Sequence, residues 1–252
     1  MQNQTASGGR ASLWKQMVKN RSCYYFIAGF VLVFTVFTLI PVLIAVFLSF
    51  TNFNVLQPAR FIGIENYKNL FLRDSVFATA GKNTFVLAAV TGPISYLLSL
   101  FMAWLINEIP RWPRALMTLL CYAPSISGGA LFVWTIVFSA DPRGYLNAML
   151  YQYGFIDRPI AWLADPKYMM GVCIFVILWM SLGTSFLAFI AGLQGVDKTM
   201  YEAAAVDGVR NRYQELWYVT LPLIRPQLLF SAVMSITASF NVGDAITSLV
   251  GY

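Results

Sequence analysis

"YEAAAVDGVRNRYQELWYVTLPLIRP", residues Tyr201–Pro226, is a charged, aromatic-bearing segment set between two stretches apolar enough to sit in lipid. Thr199 followed three residues later by Glu202 makes a capping box, which predicts a helix starting at Thr199. Ala203, Ala204 and Ala205 favour helix and add little bulk. Asp207-Gly208 predicts its stop, because glycine takes the left-handed conformation that helix ends often need. A second short helix is expected from about Arg210 to Val219, broken by Leu221-Pro222 ahead of the next apolar stretch. The product is two short helices around a tight turn, tied at both ends to apolar segments. Its alanine face allows close approach by another surface, and its charges can fix register. The same residues also suit an inert solvated connector, and local physics leaves both readings open.

Composition says what surrounds this segment. The 252 residues are 58% hydrophobic and 11% charged, against about 25% charged in a soluble domain. So few charges cannot cover a globular surface, and lipid is the expected solvent. The net charge of +6 comes from basic residues scattered among short connectors, not from a stripe, which argues against nucleic acid. Cys23, Cys121 and Cys173 match no metal-site spacing, and an odd count closes no disulfide framework. Histidine is absent, which removes the commonest general base and metal ligand.

Five stretches are long enough to cross about 30 Å of hydrocarbon as helices: Tyr24–Phe50, Asn83–Ile106, Ala115–Phe138, Tyr168–Leu193 and Leu223–Val242. An all-α, polytopic membrane helix bundle is therefore expected, with residues 1–23 as an N-terminal tail and 24–252 as the transmembrane domain. No internal repeat and no second domain is evident. The first span is too long for a cleavable signal peptide, and no small-x-small site follows it. The tail carries Arg10, Lys15, Lys19 and Arg21 and no acid, which predicts a cytoplasmic N-terminus. Alternation then puts 107–114 and 194–222 inside, and 51–82 and 139–167 outside. Ten Lys and Arg fall inside, counting Arg225, against seven outside. The outer segments "FIGIENYKNLF" (61–71) and "AWLADPKY" (161–168) mix aromatics with turn formers and read as ordered.

The run Glu202-Ala203-Ala204, Asp207-Gly208 and Leu221-Pro222 resembles the EAA loop of permease subunits of binding-protein-dependent ABC importers. The lead-in "FLAFIAGLQGVDKTMY" (186–201), "NYKNLF" (66–71) and Asn83-Thr84 are similar to the carbohydrate branch, the maltose and glycerol-phosphate type permeases. The likeness covers nearly the whole chain. Val209 departs from the usual alanine, and the Gly208–Pro222 spacing is one residue longer than the family pattern. Such permeases usually have six spans. The stretch "SFNVGDAITSLVGY" (239–252) is expected to be an outer connector before a sixth span that the sequence lacks. The resemblance implies a type I importer permease in a bacterial-type cell (inner) membrane, without cofactor, metal or catalytic site of its own. It implies a second permease subunit, two ATP-binding cassette ATPase subunits and an external solute-binding protein as partners. Glu202, Ala203, Ala204, Asp207, Gly208, Leu221 and Pro222 would form the element (about 199–222) that couples to the ATPase, with Glu202 capping its helix and Gly208 making its turn.

Ser231, Ser235, Ser239 and Gly243 recur every four residues and so share one helix face. Small residues on one stripe suit a packing seam. Alternatively, Ser235, Ser239 and Asn241 line a polar path for sugar hydroxyls. Pro93, Pro124, Gly128 and Gly129 are expected to loosen their helices locally. No acid or base lies deep in a span, and Asp244 is near an end. That argues against a proton-coupled carrier and favours a neutral solute moved by a separate ATPase. Rival readings fit less well. "DGVRNR" shares only a faint likeness with CDP-alcohol phosphotransferases, with Asn211 where that pattern has alanine and no later spaced aspartate pair. Gly81-Lys82 is no P-loop, since Val76 and Asn83 stand where glycine and Ser or Thr are needed. An ATPase-independent channel would use the same spans, and amino-acid or peptide permeases share the EAA loop but call for a charged residue facing the cavity.

Overall fold

The computed structural model describes residues 21–251, and these are mostly helical. Among them the β-structure is a single isolated bridge, Thr51 to Phe61. The bundle is thus all-α, as the span pattern required. The basic tail residues Arg10, Lys15 and Lys19 lie outside the described residues. The chain forms two compact units, divided between Ala78 and Thr79.

The first unit is built on α1 (Tyr24–Ser49), an apolar helix long enough to span a membrane. A π-helical turn at Thr35–Leu39 precedes Pro41. Proline has no N–H and its ring collides with the carbonyl four residues back, so a wider turn just before it relieves the clash. Asn66 then secures the loop that follows α1: its Nδ2 donates to the carbonyls of Ser49 (2.9 Å) and Thr51 (2.7 Å). Tyr67 meets Ser49 Oγ at 2.8 Å and packs its ring on Phe50. Both residues sit at the start of α2 (Glu65–Lys68). The order expected of this loop has these contacts as its cause.

The second unit starts within α3 (Ser75–Asn107), a 33-residue helix that carries Pro93 without breaking. The expected third span, Ala115–Phe138, is not one straight helix. It is α4 (Arg111–Ile126) and α5 (Ala130–Val137), bent by 78° at Ser127–Gly129. Pro124 removes a ladder donor near the end of α4 and the glycine pair offers no side chain to resist the corner. Helix α6 (Tyr145–Gln152) presents the fully buried Asn147. The fourth span is α7 (Pro166–Met180) and α8 (Thr184–Gln194), interrupted over Ser181–Gly183.

The segment around the opening motif folds as α9 (Lys198–Val206) and α10 (Arg212–Leu223), followed at an 83° corner by α11 (Arg225–Phe240). The break is not at Leu221-Pro222. A π turn at Leu216–Thr220 absorbs Pro222, as at Pro41, and the corner falls at Ile224. Pro226 sits in the first turn of α11, where a missing N–H is harmless. The stretch expected to be an outer connector carries a helix, α12 (Gly243–Val250), with Leu249 buried. Among the described residues, by length and composition, three helical stretches can cross a membrane, α1, α3 and α7 with α8 taken together, or five if each bent pair is one span. Two apolar cores hold the unit. Ala103 and Ile106 of α3, Phe186, Phe189, Ile190 and Leu193 of α8, and Ile224 make one. Leu87, Phe138, Val172, Cys173, Val176 and Leu249 make the other.

Candidate functional site

Two features of the second unit combine polar chemistry with accessible space. One is the α9–α10 loop. Helix α9 starts one residue earlier than expected, and Thr199 does not cap it. Asp197 is the cap: its Oδ1 accepts the Thr199 N–H at 3.0 Å. A carboxylate outcompetes a hydroxyl here because it faces the partial positive charge of a helix N-terminus. Glu202 then falls mid-helix, on the exposed side, and cannot reach back to cap. Gly208 behaves as expected. Its φ of +96° is left-handed. The Gly208 N–H donates to Ala205 O (3.3 Å) and the Val209 N–H to Ala204 O (3.0 Å). This pair of bonds is a Schellman closure, and it settles two carbonyls at the helix end.

Helix α10 is capped by Asn211, whose Oδ1 accepts the Gln214 N–H at 2.8 Å. The two short helices are tied together where Tyr201 Oη meets Thr220 Oγ1 at 3.3 Å. Arg212 reaches Glu108, one residue beyond α3, at 2.9 Å. Ile224 at the corner is 1% exposed and packs into the same core as the α3 end. The loop is therefore braced against the bundle on one side. In α9 and at its end Met200, Glu202, Ala203, Ala205, Val206 and Asp207 are exposed, Val206 by 88%. Between loop and bundle lies a polar cavity of about 610 Å³, whose walls include Glu108, Arg114, Lys198, Glu202, Arg212 and Glu215.

The second feature is a cavity of about 310 Å³ among α3, α7, α8, α11 and α12. Ser235, Ser239 and Asn241 all lie on its wall. The serine stripe is a seam as well. Ser231, Ser235 and Ser239 are buried. Ser231 Oγ donates to Ser185 O at 3.3 Å, and Ser185 Oγ lies 3.4 Å from Ser235 Oγ. Hence α11 packs on α8 through paired serines, and the edge of that seam opens into the cavity. Gly243 leaves the stripe, since it begins α12. Sequence reading missed Thr91 and Ser95 of α3 and Ser181, Thr184 and Ser185 at the interrupted fourth span, all on the same wall. Their clue is the cluster Ser181-Leu182-Gly183-Thr184-Ser185 inside an apolar run. Irregular backbone at that depth is tolerated where it lines a cavity.

Three of these hydroxyls are oriented by their own helices. Thr91 Oγ1 donates to Leu87 O (2.8 Å), Ser181 Oγ to Leu178 O (2.7 Å) and Ser239 Oγ to Ile236 O (2.7 Å). With their protons committed to the backbone, the oxygens are left to accept bonds from whatever occupies the cavity. No Asp, Glu, Lys or Arg lines it. Among the described residues, no group of His, Cys, Asp and Glu could hold a metal ion.

No protein-family model matches the chain. Individual proteins do. It is 34% identical over 224 residues to the probable ABC transporter permease protein YesP of Bacillus subtilis, spanning 88% of this chain and 71% of that one. The lactose transport system permease protein LacF of Rhizobium radiobacter is 29% identical over 226 residues, covering 88% and 74%. Among solved structures, a chain of a bacterial ABC transporter involved in import of the acidic polysaccharide alginate superposes with a TM-score of 0.77. It shares 24% identity and covers 95% of this chain and 80% of its own, a likeness that speaks to the fold. Helical spans, the braced loop closed at Gly208 and the extent of the match to YesP agree: the chain belongs to the ABC transporter permease family.

Proposed function

We propose that the chain is a permease subunit of an ATP-driven importer that translocates an uncharged sugar or oligosaccharide delivered by an external binding protein. The observation that carries the substrate class is the hydroxyl-lined, charge-free cavity. Its fixed hydroxyls offer acceptors, which suit the many O–H donors of a neutral glycan and not a carboxylate. The names of relatives support the sugar branch: lactose for LacF, and arabinooligosaccharides for the Bacillus subtilis permease AraP, 28% identical over 242 residues. Ser235, Ser239 and Asn241 are the contact residues on α11 and just after it, joined by Thr91 and Ser181.

On this reading the chain does no covalent chemistry. Two ATP-binding cassette subunits hydrolyse ATP, and a second permease completes the pathway in the cell (inner) membrane, with the N-terminus in the cytoplasm. Residues 24–252 form the transmembrane domain. One ATPase receives the exposed face of α9, with Ala203 and Ala204 in close approach and the Glu202 carboxylate toward a basic group. Asp207 and Gly208 set the turn, and Leu221 and Pro222 close α10 onto the corner. Reconstitution of the full complex into liposomes tests this. Uptake of a labelled neutral oligosaccharide should require both ATP and the binding protein, and Ser239→Asp should depress it. Uptake without the ATPase, or a preference for an acidic glycan, would overturn the reading.

A further inference from the structure

The coupling role given to α9 leaves open how its movement reaches the solute cavity. We propose that the Arg212–Glu108 ion pair, backed by the contact of the Tyr213 and Trp104 rings, is the strut that carries displacement of the loop into α3. This rests on the coupling role proposed above.

Three observations lead there. First, Arg212 and Glu108 meet at 2.9 Å, and among the described residues theirs is the one salt bridge joining segments far apart in sequence; the others link residues within 65–73 or within the first turn of α10. In a chain with 11% charged residues, such a pair is a selective placement. Second, Tyr213, the next residue, packs on Trp104 with ring centroids 5.7 Å apart. Adjacent residues of α10 thus grip two points one turn apart at the end of α3. Third, α3 is unbroken from Trp104 back to Thr91 and Ser95, which wall the hydroxyl cavity. Thirteen residues of continuous helix, Pro93 among them, separate Trp104 from Thr91, a rise of about 20 Å. One end is held by the loop and the other forms the cavity.

Apolar packing of Ile224 against Ala103 and Ile106 also joins loop and bundle. Such packing transmits displacement as well; the ion pair and the ring contact add a directional link to it. Arg212 also faces Glu215 at 3.3 Å, but both lie on α10, so that pair moves as one body. Arg212 and Glu108 are positioning residues: neither touches the solute cavity.

The test is a double-mutant cycle in the reconstituted complex, read as solute moved per ATP hydrolysed. Glu108→Gln and Arg212→Gln should each assemble, still hydrolyse ATP, and lower that ratio several-fold. The double variant should lose no more than either single one, because the pair acts as a unit. Glu65→Gln, which breaks the ion pairs confined to 65–73, should keep the wild-type ratio. A brace that only aids folding would lower the yield of complex and leave the ratio unchanged, which overturns the proposal. So do single losses that multiply in the double variant. If the Gln variants fail to assemble, Arg212→Lys with Glu108→Asp supplies the pair at altered reach and is read in the same way. A wild-type complex that shows no ATP-dependent uptake defeats the functional reading itself, not the strut alone.

Discussion

Gly208 is the residue on which the loop turns. Its φ of +96° is reached at no steric cost by glycine alone. Gly208→Ala should cost about 1 kcal/mol from strain. Gly208→Pro is worse, since it forbids that φ and removes the N–H that bonds Ala205. We expect the alanine variant to transport at reduced rate and the proline variant to assemble poorly or hydrolyse ATP without uptake; wild-type uptake by Gly208→Pro would refute the role. Asn147 makes the complementary case. Its Nδ2 donates to the carbonyls of Ser139 and Ile160, and its Oδ1 accepts from the Ile160 N–H and Trp162 Nε1. Asn147→Ala strands these groups at a buried site and should cost on the order of 3 kcal/mol, visible as a lower unfolding temperature in detergent and early proteolysis between Ser139 and Pro166. Gly208 was legible because Asp-Gly after an alanine run has a local cause. Asn147 was not, because one asparagine in a loop looks like any turn former until its distant partners fold around it.

At the level of elements, chemistry fixed the helices and tertiary packing fixed their interruptions. Hydropathy runs on through Ser127–Gly129 and Ser181–Gly183, so spans three and four read as unbroken, and only the third is sharply bent. Pro222 drew the break to itself, while the actual corner at Ile224 is announced by Pro226 in the next helix. The π turns before Pro41 and Pro222 explain why proline does not break those helices. The α3–α11 contact also belongs here: a Cβ on Gly92 would come within 3.2 Å of Ser239 Oγ. Gly92→Val should therefore force α3 off α11, disturb the hydroxyl wall and reduce uptake several-fold while the complex still forms. Ser239→Ala in the same background should restore part of that loss by making room. Full uptake by Gly92→Val would mean that the contact is not tight in the working protein.

For the whole molecule, the low charge content sufficed for a membrane bundle, and the EAA loop for its family. What the sequence did not disclose is the hydroxyl cavity as a unit, since its wall draws on α3, the fourth-span interruption, α11 and α12. Only one strand of that wall, the serine stripe, has a period visible in sequence. On the proposed coupling, α9 is where an ATPase grips the bundle. The most direct measurement is affinity purification of the full-length chain from its native cells in mild detergent, with mass spectrometry of what accompanies it, for wild type and Gly208→Pro in parallel. A P-loop ATPase and a second membrane permease should accompany the wild type, and with Gly208→Pro the ATPase should be depleted relative to that permease. A complex intact by size that contains no ATPase, or one that holds it equally in both, would contradict the coupling.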